Sequence, residues 1–337
     1  MRSPSRSHFV RRLRWTDLLG FVFLAAVAMG GVVARADDYP TRLVRIVVPY
    51  PPGGGVDGIA RALADQLSRK WQQPVIIENK SGAATMIGGE AVARAAPDGY
   101  TLLLTSDSSI TSNPFLFQKL SYDPIKDLAP ITQLIDLHQF VVAHPSLPVN
   151  TLAELVAYSK ANPQAVNYGS YGNGSQPNLL FETLKSKTGA QIMQVPFRGI
   201  APAIEAVLGG QVQLTLGGAG TTRNFIDAGK MKAIAIGRKE RLAAFPNVQT
   251  LAEAGFPDID PRSWFGVFAP AGTPSAILDK IAADIGAIVH NPDFKERYIE
   301  GNGYTAIGST PDAFRAFIMN DFSYKHTMIE EAGIKPE

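Results

Sequence analysis

The sequence predicts an α/β protein made of two similar halves, and three observations lead to this prediction. Short aliphatic runs alternate with segments of helical periodicity after residue 36, a pattern typical of a parallel sheet covered by helices. The pattern begins again near residue 139, and each half has a glycine-rich turn between a strand and a helix. Ligands of open α/β sheets bind at the carboxyl ends of strands, so two such turns facing each other would form a clamp.

The first half alternates three strands with two helices. The strands are predicted at 43–48, 74–78 and 101–105. Between the first two strands, apolar residues recur at helical spacing from Ile59 to Leu67, and a second helix is predicted at 86–95.

The second half repeats the alternation. Its strands are predicted at 140–143, 166–168, 192–195, 212–216 and 231–236. Helices are predicted after the capping-box pair Thr151 and Glu154, after the second glycine turn, and at 200–208. A final strand at 263–270 precedes a helix with Pro274 in its first turn, and the last seventy residues are mostly helical.

The first 36 residues are a predicted signal peptide. Arg11, Arg12 and Arg14 precede an apolar run at 18–33, and Ala34-Arg35-Ala36 fits a cleavage site after Ala36. The alternative is a membrane anchor, but a span needs about 20 apolar residues. The Arg11-Arg12 pair leaves the twin-arginine export route open beside the general one.

The charge of the chain without this leader is slightly negative. Six of the 32 Lys and Arg and one of the 30 Asp and Glu lie in the leader, which leaves 26 against 29, a net charge of −3. No nucleic-acid partner is therefore expected. The absence of cysteine excludes disulfides and thiolate metal sites.

The first glycine turn, Gly53-Gly54-Gly55, has two interpretations. The residues from Gly53 to Gly58 satisfy the dinucleotide-binding pattern G-x-G-x-x-G, but three consecutive glycines satisfy such patterns easily. The Lys of a phosphate-binding Walker loop does not follow. N–H groups at a helix N-terminus bind a carboxylate as well as a phosphate. The alternative is a turn without a ligand, in which Asp57 is the N-cap of the helix.

The second turn, residues 169–175, adds hydroxyl groups and further N–H groups at another helix start. A G-x-S-x-G nucleophile elbow would need glycine at the position of Tyr168. Neither a metal-binding histidine pair nor a histidine in a general-base pattern occurs. The four histidines after the leader are His138, His144, His290 and His326. We therefore predict no catalytic residues, no metal site and no cofactor.

Seven segments resemble the Bug receptors, the periplasmic solute-binding proteins of tripartite tricarboxylate transporters. They are "YPTRLVRIVVPYPPGGGVDGIARALADQL", "VIIENKSGAATMIGGEAVARAAPDGYTLL", "YDPIKDLAPIT", "YGSYGNGS", "VPFRGIAPAIEAVLGGQVQL", "PNVQTLAEAG" and "SWFGVFAPAGTP". The resemblance runs in order from about residue 39 to the C-terminus.

The resemblance implies a type II periplasmic-binding-protein fold, in which two α/β domains enclose a ligand cleft. Because the chain of such a fold crosses between the domains twice, domain 1 would comprise residues 37–138 plus 261–337. Domain 2 would comprise residues 139–260.

The resemblance also implies a small carboxylate ligand, such as a di- or tricarboxylate, an acidic amino acid or an aromatic acid. One carboxylate would lie on the first turn, and the second turn would hold the other end. Carried over by position, the ligand-binding residues of domain 1 are Tyr50, Gly54, Gly55, Val56, Asp57 and Ser106. Those of domain 2 are Ser170, Tyr171, Gly174, Ser175, Gln176 and Arg198.

Three positions depart from the family pattern. Val56 replaces a common threonine, and Asn178 lies where a histidine is common. Asp107 is the third, and its side chain would either line the pocket or cap a turn. These departures concern the identity of the ligand.

Other side chains also have alternative interpretations. Asp57 would bind the ligand directly or through water, or only cap a helix. Arg198 would pair with a carboxylate or with surface acids. Tyr50 and Tyr171 would enclose a flat ring, or Tyr171 would pack on the neighbouring loop. Trp264 would belong to the core or the hinge.

The predicted function is capture of a small carboxylate in the periplasm by hinge closure, and its delivery to the membrane permease of a tripartite tricarboxylate transporter. The protein is expected to be a monomer and not an enzyme. The alternative is a periplasmic sensor that presents the bound carboxylate to a membrane sensor kinase. An exported esterase, the third hypothesis, requires a histidine beside Ser170 or Ser175.

Overall fold

Two separate β-sheets, each covered by helices, organise the chain from Pro40 onward. The computed structural model describes residues 39–242 and 245–336. The predicted signal peptide and its cleavage after Ala36 lie outside the described residues. Within the described residues, no helix has the length and apolar character that a membrane span requires.

The strands and helices alternate along the chain. The strands are β1 Val44–Val48, β2 Val75–Asn79, β3 Thr101–Ser106, β4 Leu128–Leu137, β5 Gln139–Ala143, β6 Asn167–Ser170, β7 Met193–Pro196, β8 Leu214–Gly218, β9 Lys232–Gly237, β10 Ser263–Pro270 and β11 Tyr304–Ala306. The helices are α1 Gly55–Trp71, α2 Met86–Ala93, α3 Asn113–Leu116, α4 Leu152–Ala161, α5 Gln176–Thr188, α6 Ile200–Leu208, α7 Ala219–Asp227, α8 Ser275–Val289, α9 Pro292–Phe294 and α10 Pro311–Glu331. Short π-helical or 3₁₀ segments lie at Ala83–Thr85, Ser108–Ser112, Lys295–Ile299 and Glu300–Asn302.

Both sheets have the same strand order. The first is β2-β1-β3-β10-β4-β11, and the second is β7-β6-β8-β5-β9. In each, one antiparallel strand is inserted among parallel ones: β10 lies between β3 and β4, and β5 lies between β8 and β9. The inserted strand is in both cases the one that the chain enters after crossing from the other sheet. The predicted parallel arrangement is therefore confirmed for β2-β1-β3 and β7-β6-β8. The pairings of β5, β10 and the edge strand β11 are antiparallel.

The chain crosses between the sheets at two places that lie close together. β4 passes into β5 through His138, and β9 is followed after 25 residues by β10. The domain division at 138/139 and 260/261 stays a prediction. Strands of the first sheet lie at 44–137 and 263–306, and those of the second lie at 139–237.

Helix α1 buries the face that its periodicity predicts. Ile59, Ala60, Leu63, Ala64 and Leu67 are all buried. The burial of such an apolar stripe, rather than intrinsic propensity, provides most of the stability of a helix in a protein.

Trp264 belongs to the core of the first sheet. It is fully buried and packs edge-on against Phe314 at 5.3 Å between ring centroids. Its indole N–H donates to Asp321 Oδ2 at 2.9 Å, so the core interpretation of this residue agrees with the structure.

Four elements have no counterpart in the sequence prediction, namely α3, β4, α7 and β11. β4 contains Pro130, which lies opposite Phe268 next to an irregularity in the pairing of β4 with β10. A proline within a strand normally argues against that strand. In addition, Pro274 is the N-cap of α8, whose first residue is Ser275, and does not lie in the first turn as predicted.

Candidate functional site

The first glycine turn lies at the carboxyl end of β1 and starts α1. Gly53 has a φ of +90°, a left-handed conformation that favours glycine. The N-cap of α1 is Gly54, which has no side chain to cap the helix. The first N–H groups of a helix have no partner within it, so this helix start is available to an anion.

Asp57 is not the N-cap of α1 but lies in its first turn, which corrects that interpretation. Its Oδ2 accepts hydrogen bonds from Gly53 N–H and Arg61 Nε, both at 2.9 Å, and its Oδ1 accepts one from Asn79 at 2.8 Å. The hydrogen bond from Arg61 contributes most to lowering the pKa of Asp57 to about 2. The carboxylate of Asp57 therefore holds the turn in shape through Gly53, and the first N–H groups of α1 are not used by it.

A cluster of hydroxyl groups lies beside the first turn. Tyr50 Oη lies 2.8 Å from Ser106 Oγ and 3.3 Å from Ser109 Oγ. Ser106 Oγ is also 2.8 Å from Ser108 Oγ. Because β1 and β3 are neighbours in the sheet, the structure brings the predicted residues Tyr50 and Ser106 together.

The second glycine turn connects β6 to α5. Gly172 and Gly174 have φ values of +116° and +68°. Ser175 is the N-cap of α5, but its hydroxyl donates to Gly172 O at 2.6 Å and does not cap the helix. Asn178 Oδ1 accepts from Gly174 N–H at 2.8 Å. Asn178, which lies where a histidine is common in the family, therefore stabilises the second turn through this hydrogen bond.

The second turn contacts the first-sheet side of the molecule. A Cβ atom at Gly174 would lie 2.3 Å from Leu116, so only glycine permits this approach. Gln176 Nε2 donates to Asp107 Oδ2 at 2.7 Å and to Arg262 O at 3.1 Å. The Gln176 side chain, predicted to bind ligand, thus hydrogen-bonds to Asp107, which follows β3 of the first sheet, and to Arg262, which precedes β10.

Asp107 is buried and bonded to other side chains, and it makes no side-chain hydrogen bond to the helical segment that follows it, so the capping alternative is wrong. Its Oδ2 forms an ion pair with Lys325 at 3.0 Å, in which the side chains are 2% and 1% exposed. Its Oδ1 accepts from Ser263 Oγ at 2.7 Å. Asp107 therefore joins the end of β3 to α10, to the start of β10 and, through Gln176, to α5.

Tyr171 extends from the second turn toward the first. Its side chain is 40% exposed, while burial of its hydroxyl end and the charge of Asp107 raise its pKa. The hydroxyl lies against the N–H of Gln176 and within electrostatic range of Tyr50. Tyr171 of the second turn thus lies near Tyr50, a member of the hydroxyl cluster.

Arg198 is exposed in the loop after β7. This loop joins the second turn through a hydrogen bond from Phe197 N to Ser170 O at 2.7 Å. Among the described residues, no acid or hydrogen-bond partner contacts the Arg198 side chain. The interpretation that it pairs with surface acids therefore has no support.

Two aromatic residues beside the first turn were not predicted. A Cβ atom at Gly55 would lie 2.9 Å from Tyr304 Oη, and the Tyr304 ring packs edge-on against Phe265 at 5.9 Å. Phe265 pairs with Ser106 across β10 and β3. Tyr304 lies in a strand of three residues without a flanking motif, so no sequence signal indicates its position.

The serines of the second turn have no catalytic partner within the described part of the chain. Ser170 Oγ accepts from Gln194 Nε2 at 2.7 Å, and the Ser175 hydroxyl donates to Gly172 O. His138 contacts Thr305 Oγ1 at 2.7 Å. The described ranges also contain no group of three His, Asp or Glu that could hold a metal ion. The geometry therefore fits binding better than hydrolysis.

Comparisons with known proteins identify a matching family. The model of the tripartite tricarboxylate transporter family receptor, TctC, matches residues 59–334. Protein BugT of Bordetella pertussis is 35% identical over 315 residues, which are 93% of this chain and 96% of that protein.

Solved structures agree in fold over nearly the whole length. The periplasmic binding protein BugD has a TM-score of 0.77 and 31% identity, covering 89% of this chain and 100% of that one. The structure of R. palustris Rpa4515 with adipate has a TM-score of 0.80 and 29% identity, covering 89% of this chain and 100% of that one. The predicted fold class is confirmed: the chain has the two-sheet α/β fold of periplasmic binding proteins.

Proposed function

The chain belongs to the family of tripartite tricarboxylate transporter receptors, to which the Bug proteins also belong, and we propose that it is a periplasmic receptor for a small carboxylate. Residues 1–36 would direct its export. The receptor would bind its ligand between the two sheets and deliver it to the membrane permease of the transporter.

One observation supports this proposal most directly: the first glycine turn forms the start of α1, whose N-cap, Gly54, has no capping side chain. The N–H groups at that start carry partial positive charge, which favours a carboxylate without any charged side chain. Tyr171 reaches from the second turn toward Tyr50, which lies beside the first turn. A ligand between them would contact both sides and would favour the closed arrangement.

The residues of this site have different roles in the proposal. Gly54, Gly55, Val56 and Asp57 would offer backbone N–H groups to one carboxylate. Tyr50 and Ser106 would contribute hydroxyl groups beside it. On the other side, the second turn would contact the rest of the ligand. Its residues in the proposed site are Ser170, Tyr171, Gly174, Ser175 and Gln176.

Arg198 would pair with a second carboxylate at the far end of the ligand. It is exposed and lies beside Ser170, and a guanidinium group binds a carboxylate through two parallel hydrogen bonds. The relative that was solved with adipate is consistent with a linear dicarboxylate as the first class to test.

A thermal-shift screen of residues 37–337 against carboxylic acids tests the function. An acid at 100 times its Kd should stabilise the protein by about 2.7 kcal/mol, which raises the unfolding midpoint clearly. The amide of each acid is the control compound. Equal shifts with acids and amides, or no shift with any acid, would contradict the proposal.

The variant Arg198→Gln is tested in the same screen. The variant should weaken binding of dicarboxylates by about tenfold or more, because a charge-assisted hydrogen bond to the ligand is lost. Arg315→Gln is the matched control, since Arg315 is also exposed and lies on α10, outside the proposed site. If both variants bind alike, Arg198 has no role in the site.

A further inference from the structure

We propose that Tyr304 is a further ligand-binding residue, whose hydroxyl donates a hydrogen bond to the carboxylate held at the first glycine turn. This inference rests on the proposed function, because it assigns a donor to the same site. Neither the sequence pattern nor the resemblance indicates this residue.

The position of the hydroxyl is the first argument. Tyr304 Oη is the atom closest to the place of a Cβ at Gly55, at 2.9 Å, and the next is Phe265 Cζ at 4.0 Å. Gly55 is the first residue of α1, so its N–H belongs to the group that would bind the carboxylate. The hydroxyl thus lies directly beside the proposed anion site. It can do so because Gly55 has no side chain in that space.

The lack of a protein partner is the second argument. Within the part of the chain that the structure describes, Tyr304 Oη has no hydrogen-bond partner, in contrast to Tyr50 and Tyr168. Burial raises the pKa of Tyr304, so the hydroxyl remains protonated and can donate. A partly buried tyrosine hydroxyl normally finds a partner, and a carboxylate at the first turn would supply one.

The third argument is that Tyr304 is held in place. It pairs with Leu137 across β11 and β4, and its ring packs on Phe265. Since the backbone is held by β4 and the ring by Phe265, both in the first sheet, the hydroxyl would be oriented before a ligand binds, which reduces the entropy lost on binding.

Calorimetric titration of Tyr304→Phe tests the proposal. The probes are succinate, glutarate, adipate and pimelate, with their diamides as controls. The loss of a hydrogen bond to a charged group should raise Kd about tenfold to hundredfold for the acid that binds the wild type. The thermal unfolding midpoint without ligand should stay that of the wild type, because the substitution removes only the hydroxyl group.

Tyr158→Phe is the matched control. Tyr158 is a partly buried tyrosine that packs on the core of the second sheet from α4, and its variant should bind like the wild type. If Tyr304→Phe also binds like the wild type, the role of Tyr304 is refuted while the proposed function stands. If the wild type binds neither these acids nor any acid of the thermal-shift screen, both proposals fail.

The variant Gly55→Ala tests the geometry independently. Its Cβ must displace the Tyr304 hydroxyl, so it should weaken binding in the wild-type background. In the Tyr304→Phe background the displaced atom is absent, and the same change should cost clearly less. Equal costs in both backgrounds would show that Gly55 and Tyr304 do not act together, and would overturn the proposal.

Discussion

At the residue scale, Asp57 shows how one buried carboxylate can shape the proposed anion site without contributing a ligand-binding side chain. It is 3% exposed and accepts hydrogen bonds from Gly53, Arg61 and Asn79. These bonds join the glycine turn, the next turn of α1 and the end of β2. Because its negative charge is fully engaged in this way, Asp57 leaves the N–H groups at the start of α1 for the proposed ligand.

Asp57→Asn should destabilise the protein at neutral pH by about 1 to 2 kcal/mol. The pKa of Asp57 is lower in the folded protein, about 2, than the ordinary value of 3.8. The stabilisation is therefore present above about pH 4 and is lost as the pH falls toward 2. Urea unfolding of both proteins at pH 7 and pH 3 checks this, and their difference should shrink at pH 3.

Asp65→Asn is the control for this prediction. Asp65 also pairs with an arginine four residues later, Arg69, but its side chain is 55% exposed. Such a surface pair contributes about 0.5 kcal/mol or less. A difference between wild type and Asp57→Asn that is the same at both pH values would contradict the assigned ion pair.

At the element scale, the buried pair of Asp107 and Lys325 connects elements that lie far apart in sequence. Lys325 Nζ also donates to Arg262 O at 3.2 Å, and Gln176 donates to both Asp107 and that carbonyl. The pair therefore fixes α10 and the end of β3 at the point where the chain returns to the first sheet. The second turn reaches this point through α5.

Lys325→Met should lower the free energy of unfolding by about 3 to 5 kcal/mol, because it leaves the charge of Asp107 buried and unpaired. Adding Asp107→Asn removes that charge and should restore part of the loss. Lys126→Met is the control, since its pair with Asp123 is on the surface, with side chains 82% and 41% exposed. Chemical denaturation gives all four values, and equal losses for the two lysine variants would refute this account.

The elements that the sequence predicts and those that it does not differ in a physical way. α1 and β1 carry regular apolar patterns, and both glycine turns have local signals, so these were predicted correctly. β4 was missed because it carries Pro130 and buried polar residues such as Thr132 and Gln133. The partners of Asp107 and the position of Tyr304 depend on contacts across long sequence separations, which no local pattern contains.

At the scale of the whole molecule, the two sides meet on either flank of the site. Gly174 contacts Leu116 on one flank. On the other, a Cβ at Gly220 would lie 2.0 Å from Asn302 O. In both contacts the glycine, Gly174 or Gly220, belongs to the part of the chain that forms the second sheet, and a side chain there would collide with its partner.

Gly220→Ala should therefore hinder closure. If the contact contributes about 1.4 kcal/mol to the closed form, the Kd of a dicarboxylate rises about tenfold. The radius of gyration from small-angle scattering should also stay larger at saturating ligand. Gly218→Ala is the control, because the nearest atom to its Cβ is Thr221 Oγ1 at 3.4 Å. An unchanged radius and Kd for Gly220→Ala would exclude a role of this contact in closure.

The late position of β10 in the chain also governs how the protein folds. The first sheet needs β10 between β3 and β4, so its centre stays incomplete until residues 263–270 arrive. More than a hundred residues that build the second sheet lie between β4 and β10, which gives these pairings a high contact order and predicts slow folding. A fragment that ends before β10 would expose the unpaired edges of β3 and β4 and would tend to aggregate. Completion of the first sheet therefore has to wait for the residues that build the second.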